Sequence, residues 1–116
     1  MQFLSLAPFI PSGKDFERSK QLFIQLGFNL TWEGGGYAGF ENGNCQFILQ
    51  DYDDSRFAEN LMIIVKVPDI QAFRADIIKI NLVEQFGIRI GEVTHQPYGK
   101  EVNVIDIAGV CWHFVE

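Results

Sequence analysis

Gln96-Pro97-Tyr98-Gly99-Lys100-Glu101 runs into Val102-Asn103-Val104-Ile105, then Asp106-Ile107-Ala108-Gly109, then Val110-Cys111-Trp112-His113-Phe114-Val115-Glu116. Two runs rich in β-branched and aromatic residues, separated by a turn that ends in glycine, predict a β-hairpin. Chain ends fray unless a strand ties them into a sheet, so a final strand this apolar belongs to the core. Successive side chains of a strand point to opposite faces. Cys111, His113 and Val115 therefore share one face and Trp112 and Phe114 the other. On the preceding strand, Glu101, Asn103 and Ile105 oppose Val102 and Val104.

Working backward, this hairpin closes the second of two similar units. The first opens with the extended apolar run Phe3–Ile10, in which Pro8 suits an edge position. Asp15 is a good helix cap, and Phe16, Ser19, Phe23 and Leu26 recur at helical spacing until Gly27 ends the helix. Strands follow at Phe28–Trp32, Tyr37–Glu41 and Cys45–Gln50, with turns at Gly34-Gly35-Gly36 and Asn42-Gly43. After a polar connector, Asp51–Asn60, the order restarts. Leu61–Val67 is an apolar strand, and Asp69 caps a helix with the stripe Ile70, Phe73, Ile77 and Ile80. Strands near Gly87–Thr94, Glu101–Ile105 and Val110–Val115 complete the unit. Asp15-Phe16 matches Asp69-Ile70, and Asn42-Gly43-Asn44-Cys45 matches Ala108-Gly109-Val110-Cys111. The second unit is the longer, with its extra residues in Asn81–Pro97. Repeats define the architecture. Here they predict an α+β domain of two βαβββ modules, about 1–58 and 59–116, forming curved mixed sheets around a shared cavity.

Composition bounds the function. A chain of 116 residues, 47% hydrophobic and 14% aromatic, makes one domain with one sizeable core. The net charge of −6 and the lack of a basic cluster disfavour nucleic acid. No apolar run is long enough for a bilayer, and the first residues lack the basic region of a targeting signal, so a cytoplasmic location is expected. Cys45 and Cys111 are too few for a disulfide framework. They read as small buried hydrophobes. A Cys111–His113 pair shares a strand face, but no third group is in place to orient it.

The βαβββ duplication, Asp15 at the helix start, the Leu26-Gly27-Phe28 exit and the closing Pro97-Tyr98-Gly99-Lys100-Glu101 with Asp106-Ile107-Ala108-Gly109 together resemble the vicinal-oxygen-chelate superfamily. That group includes glyoxalase I, bleomycin resistance proteins and extradiol dioxygenases. The opening Pro8-Phe9-Ile10-Pro11 is more similar to its bleomycin-resistance-like branch. The resemblance implies a small-molecule ligand, antibiotic resistance as one role, and a homodimer, with an exchange of N-terminal strands left open. It also implies metal-ligand positions on the first and last strand of each module. These fall on Ser5, Phe47 or Ile48, Met62 and His113, which leaves one usable ligand, since a catalytic divalent metal wants about three or four N, O or S protein donors. A register slip would substitute Gln46 or Gln50. No metal and no other cofactor is therefore expected, and the leading reading is a metal-free cavity that binds a cationic or aromatic molecule. The alternatives are a metal-dependent lyase, isomerase or dioxygenase, and an interaction module whose cavity is filled by its own side chains.

For the cavity lining, the sequence nominates His113, Glu101, Asn103, Phe47 and Met62, with Trp32, Tyr37 and Tyr98 as rings able to stack on a ligand. Each has a plainer alternative. Glu101 could pair with Lys100 or Arg89 at the surface. Met62 could fill the core. Trp32 and Tyr37 could form a cross-strand pair.

Overall fold

The computed structural model describes residues 1–116. Along the chain come β1 (Phe9–Pro11), α1 (Phe16–Leu26), β2 (Asn29–Gly34), β3 (Tyr37–Asn42), β4 (Cys45–Gln50), α2 (Ser55–Asn60) and β5 (Met62–Lys66). They are followed by α3 (Ile70–Lys79), α4 (Leu82–Phe86), β6 (Arg89–Ile90), β7 (Thr94–Gln96), β8 (Gly99–Ile105) and β9 (Cys111–Val115). The strands form two mixed sheets. The first has the order β1-β4-β3-β2. The second has the order β5-β9-β8-β6, with β7 also pairing with β8. In each sheet the first strand runs parallel to the last, β1 to β4 and β5 to β9, and the remaining pairs are antiparallel. The α+β duplication read from the sequence is this arrangement.

Local chemistry sets the helix ends. Asp15 accepts a hydrogen bond from Arg18 N at 3.0 Å and Asp69 one from Ala72 N at 3.0 Å, each satisfying a free N–H of the first turn. Gly27 ends α1 in the left-handed region at φ 117°, where a side chain would be strained. The C-terminal residue also reaches α3, where Glu116 Oε1 accepts from Ile70 N at 3.0 Å.

One aromatic core joins the two sheets. Phe23 of α1, Phe28 and Phe47 of β4 pack around Trp112 of β9, and Phe40 of β3 stacks on Phe47. The Phe23–Phe47 centroids are 4.9 Å apart and the Phe47–Trp112 centroids 5.3 Å. Phe73 of α3 lies 4.2 Å from Phe114. Edge-to-face and tilted rings at these separations add stability beyond the area they bury. The Trp112 indole N–H donates to Asp106 Oδ2 at 2.9 Å, while Asp106 Oδ1 accepts from Ala108, Gly109 and Val110 N. Asp106 thus fixes both the β8–β9 turn and the ring at the centre of the core. Burial pushes its carboxyl above the ordinary range, and the four N–H donors oppose that shift.

Three expectations change, and the extra length of the second half falls where expected. The first strand is not Phe3–Ile10 but Phe9–Pro11. Pro8 offers a carbonyl to Ile48 N at 2.9 Å but has no N–H, no strand lies beside the residues before it, and Met1–Leu6 are exposed. The connector Asp51–Asn60 holds helix α2, capped by Asp54, which accepts from Phe57 N at 3.1 Å. The extra length of the second half is spent partly on α4, entered through Asn81 at φ 59°. The strand expected at Gly87–Thr94 divides into β6 and β7. They are separated where Gly91 N donates to Asn103 O and Gly91 O accepts from Arg74 Nε.

Candidate functional site

In β5, β8 and β9, register and alternation build one polar-and-apolar face. Met62 lies opposite Cys111 and Ile64 opposite His113 in the parallel pair, while Asn103 lies opposite His113 and Glu101 opposite Val115 in the antiparallel one. Trp112, Phe114, Val102 and Val104 turn the other way into the core. The face expectation drawn from the closing hairpin is therefore what the strands adopt. Met62 and Ile64 are 67% and 63% exposed, so Met62 is not core filler.

Glu101 departs from the surface pairing considered for it. Its side chain is 4% exposed, and Oε1 receives both the Tyr98 hydroxyl at 2.7 Å and His113 Nδ1 at 3.2 Å. Lys100 reaches Glu116 instead. The hydrogen bond to Glu101 raises the Tyr98 hydroxyl above its ordinary pKa. His113 is 18% exposed, and its Nε2 is buried with no partner. Beside it, burial pushes the Cys111 thiol up, with the charges of Glu101 and Asp106 adding to the effect. A thiol held protonated is a poor nucleophile, which disfavours a Cys111–His113 catalytic pair.

A cavity of about 530 Å³ opens between β4 and β5, with the N-terminal segment as its third wall. Leu6, Pro8, Gln46, Met62 and Ile64 line it, with Phe47 and Trp112 as its floor. A second, of about 300 Å³, lies over β3 and β4, bounded by Trp32, Glu41, Gln46 and Ile48. The nominated residues therefore separate into groups. Met62 meets the first cavity and Trp32 the second. Phe47, 3% exposed in the core, reaches both only from below. His113, Glu101 and Tyr98 form the hydrogen-bonded cluster, and Asn103 is exposed beside it. Tyr37 packs on Phe9 at 5.9 Å and lies across from Gly34, so it makes no cross-strand pair with Trp32. The indole of Trp32 instead lies over Gly39, where any methyl group would overlap it. Ile64, Gln46 and Leu6 were not nominated as lining. Ile64 was within reach of simple alternation from Met62, whereas Leu6 depends on a segment that pairs with nothing.

The metal-ligand positions implied by the resemblance do not fit an ion. Ser5 stands exposed in the N-terminal segment, Phe47 is core, Ile48 and Met62 are poor or impossible donors, and His113 Nδ1 is occupied by Glu101. Gln46 does line cavity wall, but no three His, Cys, Asp or Glu side chains converge anywhere.

This arrangement of two parallel-edged mixed sheets with helices around an aromatic core is the bleomycin-resistance/glyoxalase fold. A bleomycin-binding protein from bleomycin-producing Streptomyces verticillus, complexed with copper(II)-bleomycin, superimposes with a TM-score of 0.78 at 21% identity, over 99% of this chain and 97% of that one. A bleomycin-binding protein complexed with bleomycin gives 0.81 at 18% identity, over 98% of each chain. A bleomycin resistance determinant encoded on transposon Tn5 gives 0.80 at 18%, also over 98% of each. No family sequence model matches the chain, and no curated relative does. At these identities the likeness is one of fold.

Proposed function

We propose that this chain is a metal-free binding protein that sequesters a small cationic or aromatic molecule, as a homodimer in the cytoplasm. We read residues 1–58 and 59–116 as the two modules of its single domain. The observation that carries this reading is the cavity between β4 and β5. It is predominantly apolar, with nine of twelve lining residues hydrophobic, and it bears a few polar groups such as Gln46 and Asn44. That is the usual make-up of a small-molecule site, and its volume falls in the usual range. It also speaks against an interaction module with a filled cavity. The relatives in fold that hold bleomycin support the ligand class, and the net charge of −6 suits a cation. Neither a metal-dependent lyase nor an isomerase or dioxygenase of the same fold gains support from the donor set around His113.

Support for the dimer comes from what one copy leaves in water. Phe3, Leu4 and Leu6 are nearly fully exposed, and the edge strand β5 presents Met62 and Ile64 beside unpaired backbone groups. Apolar surface of this kind on a sheet edge favours a second chain. Light scattering coupled to size exclusion is expected to give twice 13.2 kDa. Binding is tested by a thermal-shift screen of cationic, neutral and anionic aromatics, run with and without chelator. The expected result is stabilisation by a subset of cations, unchanged by chelation. A melting temperature that drops on chelation and recovers with Ni²⁺, Zn²⁺ or Fe²⁺ overturns the metal-free reading.

A further inference from the structure

The unpartnered Nε2 of His113 sits in a face that is otherwise apolar at Met62 and Ile64, and its proton state follows from its other nitrogen. Nδ1 lies 3.2 Å from Glu101 Oε1, an oxygen that already accepts from Tyr98. A carboxylate can only accept, so Nδ1 of the neutral ring carries the hydrogen and Nε2 is left as a bare lone pair. A buried acceptor without a donor is unfavourable, and a ligand that supplies the donor recovers that free energy. The other titratable groups on this face are Cys111 on β9 and Lys66 at the far end of β5.

Resting on the binding function proposed above, we infer that His113 Nε2, which lies outside the cavity lining but across from the wall residue Ile64, is a polar anchor for the ligand on the adjoining β5–β9 face. It accepts a hydrogen bond from an N–H of an amidinium, guanidinium or ammonium group of the ligand, and Glu101 is the positioning residue that fixes the acceptor tautomer. Nε2 has no exposed surface, so the donor reaches it when the neighbouring side chains move. The carboxylate of Glu101 behind the ring favours a cation in front of it and repels an anion. Asn103, exposed across from His113, offers a second polar contact at the same end of the face.

The test uses ¹⁵N-histidine-labelled full-length protein, with His95→Gln to leave one histidine signal, and two flat aromatics of opposite charge, benzamidinium and benzoate. Expected are an unprotonated Nε2 in the neutral ring, a shift of that resonance on adding benzamidinium, and affinity about tenfold or more above that for benzoate. In Glu101→Gln the amide can donate to Nδ1, so Nε2 takes the proton and the preference for benzamidinium falls about tenfold. Should Glu101→Gln not fold, the tautomer of the wild-type ring and its benzamidinium-to-benzoate preference still decide the inference. A proton on Nε2 of the neutral ring overturns the inference, as does benzoate binding as well as benzamidinium. Binding of either probe with Nε2 unmoved also overturns it, while leaving the binding function standing. Failure of both probes to bind overturns it too, and the wider aromatic screen then decides whether the binding function falls with it.

Discussion

Replacing Asp106 by alanine should unfold this protein at markedly lower temperature. Its carboxylate accepts from the backbone N–H of Ala108, Gly109 and Val110 and from the Trp112 indole, all at 2.9–3.0 Å. Four hydrogen bonds at a net ~1 kcal/mol each give a loss of ~4 kcal/mol. A domain of this length has on the order of 5–15 kcal/mol in total, and ~4 °C per kcal/mol is expected at its size, so the midpoint should fall by ~15 °C. Urea unfolding followed by far-UV circular dichroism reads the free energy without depending on tryptophan. The Asp106–Trp112 bond is isolated by a double-mutant cycle of Asp106→Ala with Trp112→Phe. Because both single changes lose the same bond, the double variant should be more stable than additivity predicts, by ~1 kcal/mol. Asp106→Asn keeps one acceptor for the turn and should lose less than the alanine. The pH dependence has a definite sign. Burial raises the folded-state value of this carboxyl, so the protonation-linked part of its contribution is fully present below the ordinary aspartate value of about 4 and is lost as pH rises through the raised one, while the four hydrogen bonds to the carboxylate persist. The stability gap between wild type and Asp106→Asn should shrink accordingly as pH rises above about 4. An Asp106→Ala protein within 1 kcal/mol of wild type would refute the assignment of Asp106 as the lock of turn and core.

Gly39→Ala places a methyl group where the Trp32 indole lies, so the ring must leave β3. A destabilisation of ~1–3 kcal/mol and a red-shifted tryptophan emission are expected, and emission unchanged from wild type counts against this packing. Asp54→Ala removes the cap of α2 and should lower the urea midpoint. The Phe57 N–H and then the Tyr52 hydroxyl hold the Asp54 carboxyl below its ordinary range, so its contribution is present above about pH 4 and is lost as pH falls through the lowered value; a gap to Asp54→Ala that widens on acidification contradicts this. The Cys111 thiol, raised by burial, should be alkylated by iodoacetamide at pH 8 more slowly than free cysteine. Peptide mass spectrometry of trypsin-digested samples checks the rate, and labelling at the free rate shows the thiol is not held protonated.

The closing hairpin made most of the fold legible, because alternation fixes faces without any long-range information. Cys111, His113 and Val115 had to oppose Trp112 and Phe114 once the run was read as a strand, and the core confirms that division. The helix caps at Asp15 and Asp69 were legible for a similar reason, since the donor they satisfy lies within three residues. The first strand misled because apolarity and extension say nothing about a partner. Phe3, Leu4 and Leu6 have the composition of a strand but no neighbour to pair with in the same chain. Helix α2 was hidden in a run of acidic residues that resembles a solvated loop, and only the Asp54 cap marked it.

The site was harder to read than the fold because its members meet through register rather than spacing. Glu101 lies twelve residues before His113, and nothing in those two positions distinguishes a buried pair from two surface groups. They come together because β8 and β9 align Asn103 with His113, which puts Glu101 one step along the same face, and because the tight turn at Pro97-Tyr98 folds a hydroxyl back onto the same carboxylate oxygen. A shift of that register by one residue would send Glu101 and His113 to opposite faces. The turn held by Asp106 is what prevents such a slip, through three backbone N–H groups bound to one oxygen and the core indole bound to the other. The buried acid of the hairpin turn therefore sets the alignment on which the Tyr98–Glu101–His113 cluster depends. A loosened Asp106 should disturb the histidine tautomer as well as the melting temperature.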